Sequence, residues 1–137
     1  MISEEYAAIE ARLAADTALA VRDTVYDSAG EIYRGTYVVL FGGGPDALDD
    51  NRLASAQDVG SDAVYVYTVR CVSTTPAGVR SALNHVATQL VGFIPTVTGR
   101  TCDPIRMTRS TNVEPDASVK PPLYYSDVEF SLSSQRL

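Results

Sequence analysis

Apolar residues recur at helical spacing near the start of the chain. Ile2, Tyr6, Ile9 and Leu13 stand four, three and four positions apart, which puts them on one face of a helix. Ser3 is placed to cap that helix, and Glu4 and Glu5 in its first turn complement the positive helix end. Ala7, Ala8, Ala11, Ala14 and Ala15 favour helix while filling little volume, and Asp16 and Thr17 mark its end. A second helix is announced by Thr75 as cap and Pro76 at the first helical position, where its missing N–H costs nothing. Val79, Leu83, Val86 and Leu90 repeat the four-three-four spacing, and Gly92 is the expected stop.

Strand patterns fill the rest. Ala20 to Tyr26 predicts a first strand, closed by a turn at Asp27-Ser28-Ala29-Gly30. Tyr37-Val38-Val39-Leu40-Phe41 is a continuous apolar run between glycines, as in a buried strand. From Ala63 to Ser73 both alternating sets are apolar: Ala63, Tyr65, Tyr67, Val69 and Cys71 on one face, Val64, Val66, Thr68 and Val72 on the other. This predicts a central strand covered on each side. Arg70 breaks the second set, which places it near an opening or an interface. Thr101 to Arg109 alternates loosely, with Pro104 marking an edge or a strand start. Tyr124, Val128, Phe130 and Leu132 alternate with Tyr125, Asp127, Glu129 and Ser131, so the last strand has one wet face.

Two polar connections interrupt the pattern. The segment from Gly42 to Asp62 holds three consecutive glycines and five acids, and connections this long inside a domain are usually functional or mobile. Residues 110–122 contain three prolines and read as a long hairpin arm, mobile when the protein is alone. The expected fold is α+β: a mostly antiparallel sheet of four or five strands packed by two helices, with long mobile loops. At 137 residues, a single domain spanning 1–137 is the natural reading.

Composition changes this picture only at the level of partners. The fraction of apolar residues, 45%, and of charged residues, 20%, are ordinary for a folded domain. No stretch approaches the ~20 apolar residues of a membrane span, and the acidic start lacks the form of a signal peptide, so a cytoplasmic origin is expected. A formal charge of −6 argues against gripping a nucleic-acid backbone, though not against nucleic acid sliding past. Lys120 is the single lysine among eleven basic residues, which fits either a GC-rich genome or a preference for the fork-shaped contacts of arginine. Cys71 and Cys102 have no zinc-site spacing and read as reduced core thiols, unless their strands prove to be neighbours.

The search for catalytic chemistry returns little. His85 is the single histidine and reads as a helix-surface or half-buried residue. Gly42-Gly43-Gly44-Pro45 resembles a phosphate-cradling loop but lacks the Gly-Lys-Ser/Thr step, and Asp46, Asp49 and Asp50 follow it with the wrong charge. Those acids, with Asp58, do not match a calcium loop either. Arg100, Arg106 and Arg109 cluster beside the fourth strand, and simple alternation puts Arg100 and Arg106 on one face with Arg109 opposite. Pairing of these arginines with the acidic loop of a neighbouring subunit stands against a plain solvated face. Neither catalytic nor metal-binding residues are indicated, and no cofactor. The candidate interface set is Asp46, Asp49, Asp50, Arg70, Arg100, Arg106, Arg109, and, on the 110–122 arm, Glu114, Asp116 and Lys120.

The run Tyr65-Val66-Tyr67-Thr68-Val69-Arg70-Cys71-Val72-Ser73-Thr74-Thr75-Pro76-Ala77-Gly78-Val79-Arg80, with the helix to Val91, resembles the lambda-type tail terminator family of long-tailed bacteriophages. Val97-Thr98-Gly99-Arg100-Thr101-Cys102-Asp103-Pro104-Ile105 and Leu123-Tyr124-Tyr125-Ser126-Asp127-Val128-Glu129-Phe130 also look like that family. With the opening helix, the likeness covers most of the chain outside 42–62. The resemblance implies a virion protein forming a ring, typically of six subunits, that caps the head-proximal end of the tail tube. Such a ring stops tube polymerisation, joins the head through a neck or head-completion protein, and leaves a channel for genomic DNA. Its implied partners are its own copies, the major tail tube protein and the neck protein, with assembly in the host cytoplasm and no membrane. Another head–tail connector is the nearest competing reading. A small ligand-binding domain or enzyme built on the glycine-rich loop is the competitor from a different class.

Overall fold

The computed structural model describes residues 4–22, 34–42 and 62–136. In chain order they form α1 (Glu4–Ala14), β1 (Val21–Arg22), β2 (Tyr37–Gly42), β3 (Asp62–Ser73), α2 (Pro76–Leu90), β4 (Arg100–Cys102), β5 (Arg106–Ser110), β6 (Glu114–Asp116) and β7 (Leu123–Arg136). The fold is α+β: one sheet in the order β1-β2-β3-β7-β4, packed by two helices, with β5 and β6 also paired to β7. β1 lies parallel to β2, and every other pairing is antiparallel.

The core follows from the periodicities. Ile9 and Leu13 of α1 and Val79, Ala82, Val86 and Leu90 of α2 are buried against Val38, Leu40, Tyr67, Val69, Val128, Phe130 and Leu132 of the sheet. Each Val, Leu, Ile or Phe among them contributes about 1.5–3 kcal/mol when fully buried, which is why these two stripes decide how the helices sit. The Thr75 hydroxyl accepts the Gly78 N–H at 3.1 Å, with Pro76 opening the helix. Beyond α2, Gly92 takes φ +81°, a conformation that glycine adopts without strain. Ile2 and Ser3, the stretch from 23 to 33 that would extend and close the first strand, and the 43–61 interior of the acidic connection lie outside the described residues.

Several expectations are corrected. The predicted strand from Thr101 to Arg109 is two strands, β4 and β5, separated at Asp103-Pro104-Ile105. Both lie at the sheet edge along β7, as Pro104 suggested. A register shift between Met107 and Arg109 then displaces the alternation once more. As a result Arg106 and Arg109 sit opposite Ser131 and Glu129 on the same face, and it is Arg100 that turns the other way.

The 110–122 arm is not a free hairpin. β6 pairs with the start of β7, and Val119 and Leu123 are buried with Tyr37, Val39 and Val72 in a second small core. Arg34 ties the arm down further, donating to the carbonyls of Lys120 and Pro121 at 2.8 and 2.9 Å. Val113 and Val119 stand alone among polar residues, so no period betrayed their burial.

The β3 strand is central in the sheet but is covered by helices on one face only. That difference creates the surface described next.

Candidate assembly surface

Register maps the face that the helices leave open. At one end Tyr37, Val72 and Tyr125 form a row. Next come Val39, Arg70 and Asp127, then Phe41, Thr68, Glu129 and Arg109, then Val66, Ser131 and Arg106, and last Val64 and Ser133. The first row packs with Val119 of the arm and Leu123 at the start of β7. Toward the last rows the face opens to solvent, with Phe41 and Val64 both exposed.

Arg70 occupies the middle of this face. Its Nε and Nη2 donate to the two carboxylate oxygens of Asp127 at 2.8 and 3.0 Å, a fork-to-carboxylate pair. The guanidinium also lies 5.0 Å from the Tyr125 ring centre and 5.9 Å from that of Phe41. The hydrogen bonds it donates to Asp127 raise the Arg70 pKa above its ordinary value, so the group stays a cation at every working pH.

A hollow of about 280 Å³ opens beside it, lined by Tyr37, Arg70, Val72, Val119, Leu123 and Tyr125 with the turn at 115–117. A smaller one of about 160 Å³ is bounded by Thr68, Arg109, Thr111, Asp127 and Glu129. The larger hollow has mixed apolar and charged walls and the smaller one polar and charged walls, with Arg70 lining the first and its partner Asp127 the second. Such a wall suits the seating of another protein's side chains.

The remaining expected residues are spread over the molecule. Arg100 points to the helix side, where its Nε donates to Ser134 Oγ at 2.6 Å and lies 3.4 Å from the buried Glu5 carboxylate. It ties α1 to the strand pair β4–β7. Arg106 and Arg109 are exposed on β5. Glu114 is exposed on β6, where it accepts from the Tyr125 hydroxyl at 3.4 Å. Asp116 accepts from the Ser118 backbone at 3.1 Å, closing the arm's turn, and Lys120 is exposed. Asp46, Asp49 and Asp50 lie outside the described residues.

His85 joins the end of α1 to α2. Its Nδ1 is 2.9 Å from Asp16 Oδ2, and Gln89 donates to the same oxygen at 3.3 Å. Asp16 is held below the usual carboxylate range, first by the Ala18 N–H and then by His85 and Gln89. Among the described residues, no three His, Cys, Asp or Glu side chains converge as a metal site would require. Among them too, no helix is long and apolar enough to cross a membrane.

Sequence reasoning missed two members of this arrangement. Glu5 was read as complementing the helix end, yet it is buried and takes a hydrogen bond from Ser134 at 3.2 Å. Asp127 was placed on the wet face with no partner. The available signal was one unmatched Arg on β3 and one Asp on β7, which only the register brings opposite one another.

No family model matches this chain, and no curated protein matches its sequence. Among solved structures, a chain in the structure titled "Virion of native gene transfer agent (GTA) particle" is similar, with a TM-score of 0.62 and 20% sequence identity. The match covers 94% of this chain and 92% of that one. The likeness is one of fold, and it spans both chains almost from end to end.

Proposed function

We propose that this chain is a structural virion protein, and specifically a tail terminator. Its copies close into a ring, six in number by the pattern of the family it resembles, on the head-proximal end of a tail tube. The observation that carries the reading is the nearly full-length fold likeness to a chain of a virion particle. It is joined by the sequence resemblance over β3, α2 and β7, which is independent of that comparison.

The physical chemistry of the chain supports the role. A surface with a preformed ionic and aromatic platform is suited to docking. Six copies at −6 each carry a charge on the order of −36, so a channel through the ring would repel DNA rather than hold it. Arg106 and Arg109 stand on the β5 edge, whereas the acidic connection with Asp46, Asp49 and Asp50 begins at Gly42, across three strand spacings, roughly 14 Å. A head-to-tail neighbour would bring those opposite charges together. The partners in this reading are further copies of the chain, the major tube protein and a neck protein, with DNA passing through without specific binding.

Electron microscopy of tails assembled with and without the protein tests this. Tubes of controlled length with a ring at one end are expected in its presence, and uncapped tubes of uncontrolled length in its absence. Tails of normal length without it would refute the terminator role. Binding to portal-side proteins instead of the tube end would favour the neck-connector reading.

A further inference from the structure

The tip of the β6–β7 hairpin does not stay at its own edge of the sheet. Residues 114–116 pair with the start of β7, yet Val119, three residues on, is buried with Tyr37 and Val39 of β2 and Val72 of β3. The sheet order puts β3 and then β2 beyond β7, so the tip has crossed back over the helix-free face.

What seats the tip there is modest. Val119 supplies a buried side chain, and Arg34 donates to the carbonyls of Lys120 and Pro121 from outside the hairpin. Arg34 is itself exposed, so water competes for both hydrogen bonds. Further bonds stay inside the turn: the Asp116 side chain accepts from the Ser118 N–H at 3.1 Å, and its carbonyl from the Val119 N–H at 3.4 Å.

Beneath the tip the packing is incomplete. The hollow of about 280 Å³ is walled by Asp116, Ala117 and Val119 on one side and by Tyr37, Arg70 and Val72 on the other. Protein interiors fill such space, so the tip bridges the sheet rather than packing down on it. The main core differs, because both helices bury whole stripes against the sheet. Segments held by little buried apolar surface and by exposed hydrogen bonds open at a lower free energy than the whole chain unfolds.

We propose that residues 117–122 form a strap that opens as a unit while the sheet and helices stay folded, uncovering Tyr37, Val39 and Val72, with Arg34 as its latch. The device is independent of the terminator reading. Closed, the strap keeps those three side chains almost wholly out of water. Open, it presents an apolar row beside the Arg70 cation.

The test labels thiols in the folded, full-length chain. Val119→Cys places a reporter under the strap, and the native Cys71, fully buried in the main core, reports opening of the body in the same molecule. In urea strong enough that Cys71 labelling tracks unfolding, the introduced thiol should react at least tenfold faster than Cys71. It should also react at least tenfold slower than it does in the unfolded chain. Val86→Ala removes buried volume from α2 and leaves the strap untouched. It should speed Cys71 labelling tenfold or more and leave the introduced thiol unchanged. Arg34→Ala should speed the introduced thiol by roughly tenfold, the loss of two hydrogen bonds.

Equal acceleration of both thiols by Val86→Ala overturns the inference, because the strap then opens only when everything unfolds. An introduced thiol as reactive as in the unfolded chain also overturns it, since the strap is then never seated. An unchanged rate in Arg34→Ala overturns the latch. Should Val119→Cys fail to fold, Val39→Cys under the same strap carries the same comparisons.

Discussion

Replacing Gly78 by alanine should destabilise this protein, although glycine-to-alanine inside a helix normally does the reverse. Gly78 lies in the first turn of α2, with its N–H bound to the Thr75 hydroxyl. Intrinsic propensity would favour alanine by up to about 1 kcal/mol, less so close to the helix start. The backbone has no positive φ here, so no strain opposes the change. The opposition is steric. An added Cβ would run into Ser73 Oγ and come within 2.8 Å of Ser73 Cβ.

Ser73 cannot move aside cheaply. It ends β3, is buried, and its hydroxyl is 2.9 Å from Thr36 Oγ1. Rotating it away loses a hydrogen bond worth about 1 kcal/mol, and the Cβ contact remains because the strand backbone holds it. Overpacking of this kind costs about 1–3 kcal/mol, so the net loss should be about 2 kcal/mol. Urea unfolding of wild type and Gly78→Ala, each with and without Ser73→Gly, measures it. The penalty should shrink by about 1 kcal/mol or more when Ser73 has lost both offending atoms. A Gly78→Ala variant more stable than wild type, or an equal penalty in both backgrounds, would refute the reasoning.

Two further predictions concern the sheet itself. A double-mutant cycle on Arg70→Ala and Asp127→Ala should give a coupling of about 1 kcal/mol at low salt. That is the upper end for exposed pairs, since the geometry is bidentate but solvent reaches 40% and 26% of the two side chains. Added salt should weaken it, and zero coupling at low salt would show that the pair is incidental. Burial pushes the Cys71 thiol up to about 12, with the nearby Asp127 charge adding to it. The unfolded chain ionises this thiol from about pH 9 upward while the folded one cannot, so stability is complete below pH 9 and falls between pH 9 and 12. Comparing the alkaline limb of unfolding for wild type and Cys71→Ser checks the sign. Rapid native-state labelling of Cys71 at pH 8 would contradict it.

The elements were legible in the chain because local periodicity and capping specify them. The stripe Val79, Leu83, Val86, Leu90 with Thr75 and Pro76 marks α2 without reference to anything distant, and the same is true of Ile9 and Leu13 in α1. The alternation of β7 told its wet face from its dry one. What the pattern left open was every property that depends on which strand meets which.

Arg106 and Arg109 share a face because an irregularity after Met107 displaces the count, and Arg100 turns the other way because the break at Asp103-Pro104-Ile105 displaces it too; alternation has period two, so a single extra residue reverses it. Arg70 finds Asp127 and Glu5 finds Arg100 only when strands and a helix far apart in sequence are laid together. The single-sided covering of β3 has the same origin: its apolar residues on both faces dictate burial or contact for each, but two helices suffice for one face only. The strand's own residues made both faces apolar, and tertiary packing decided which of them the helices cover.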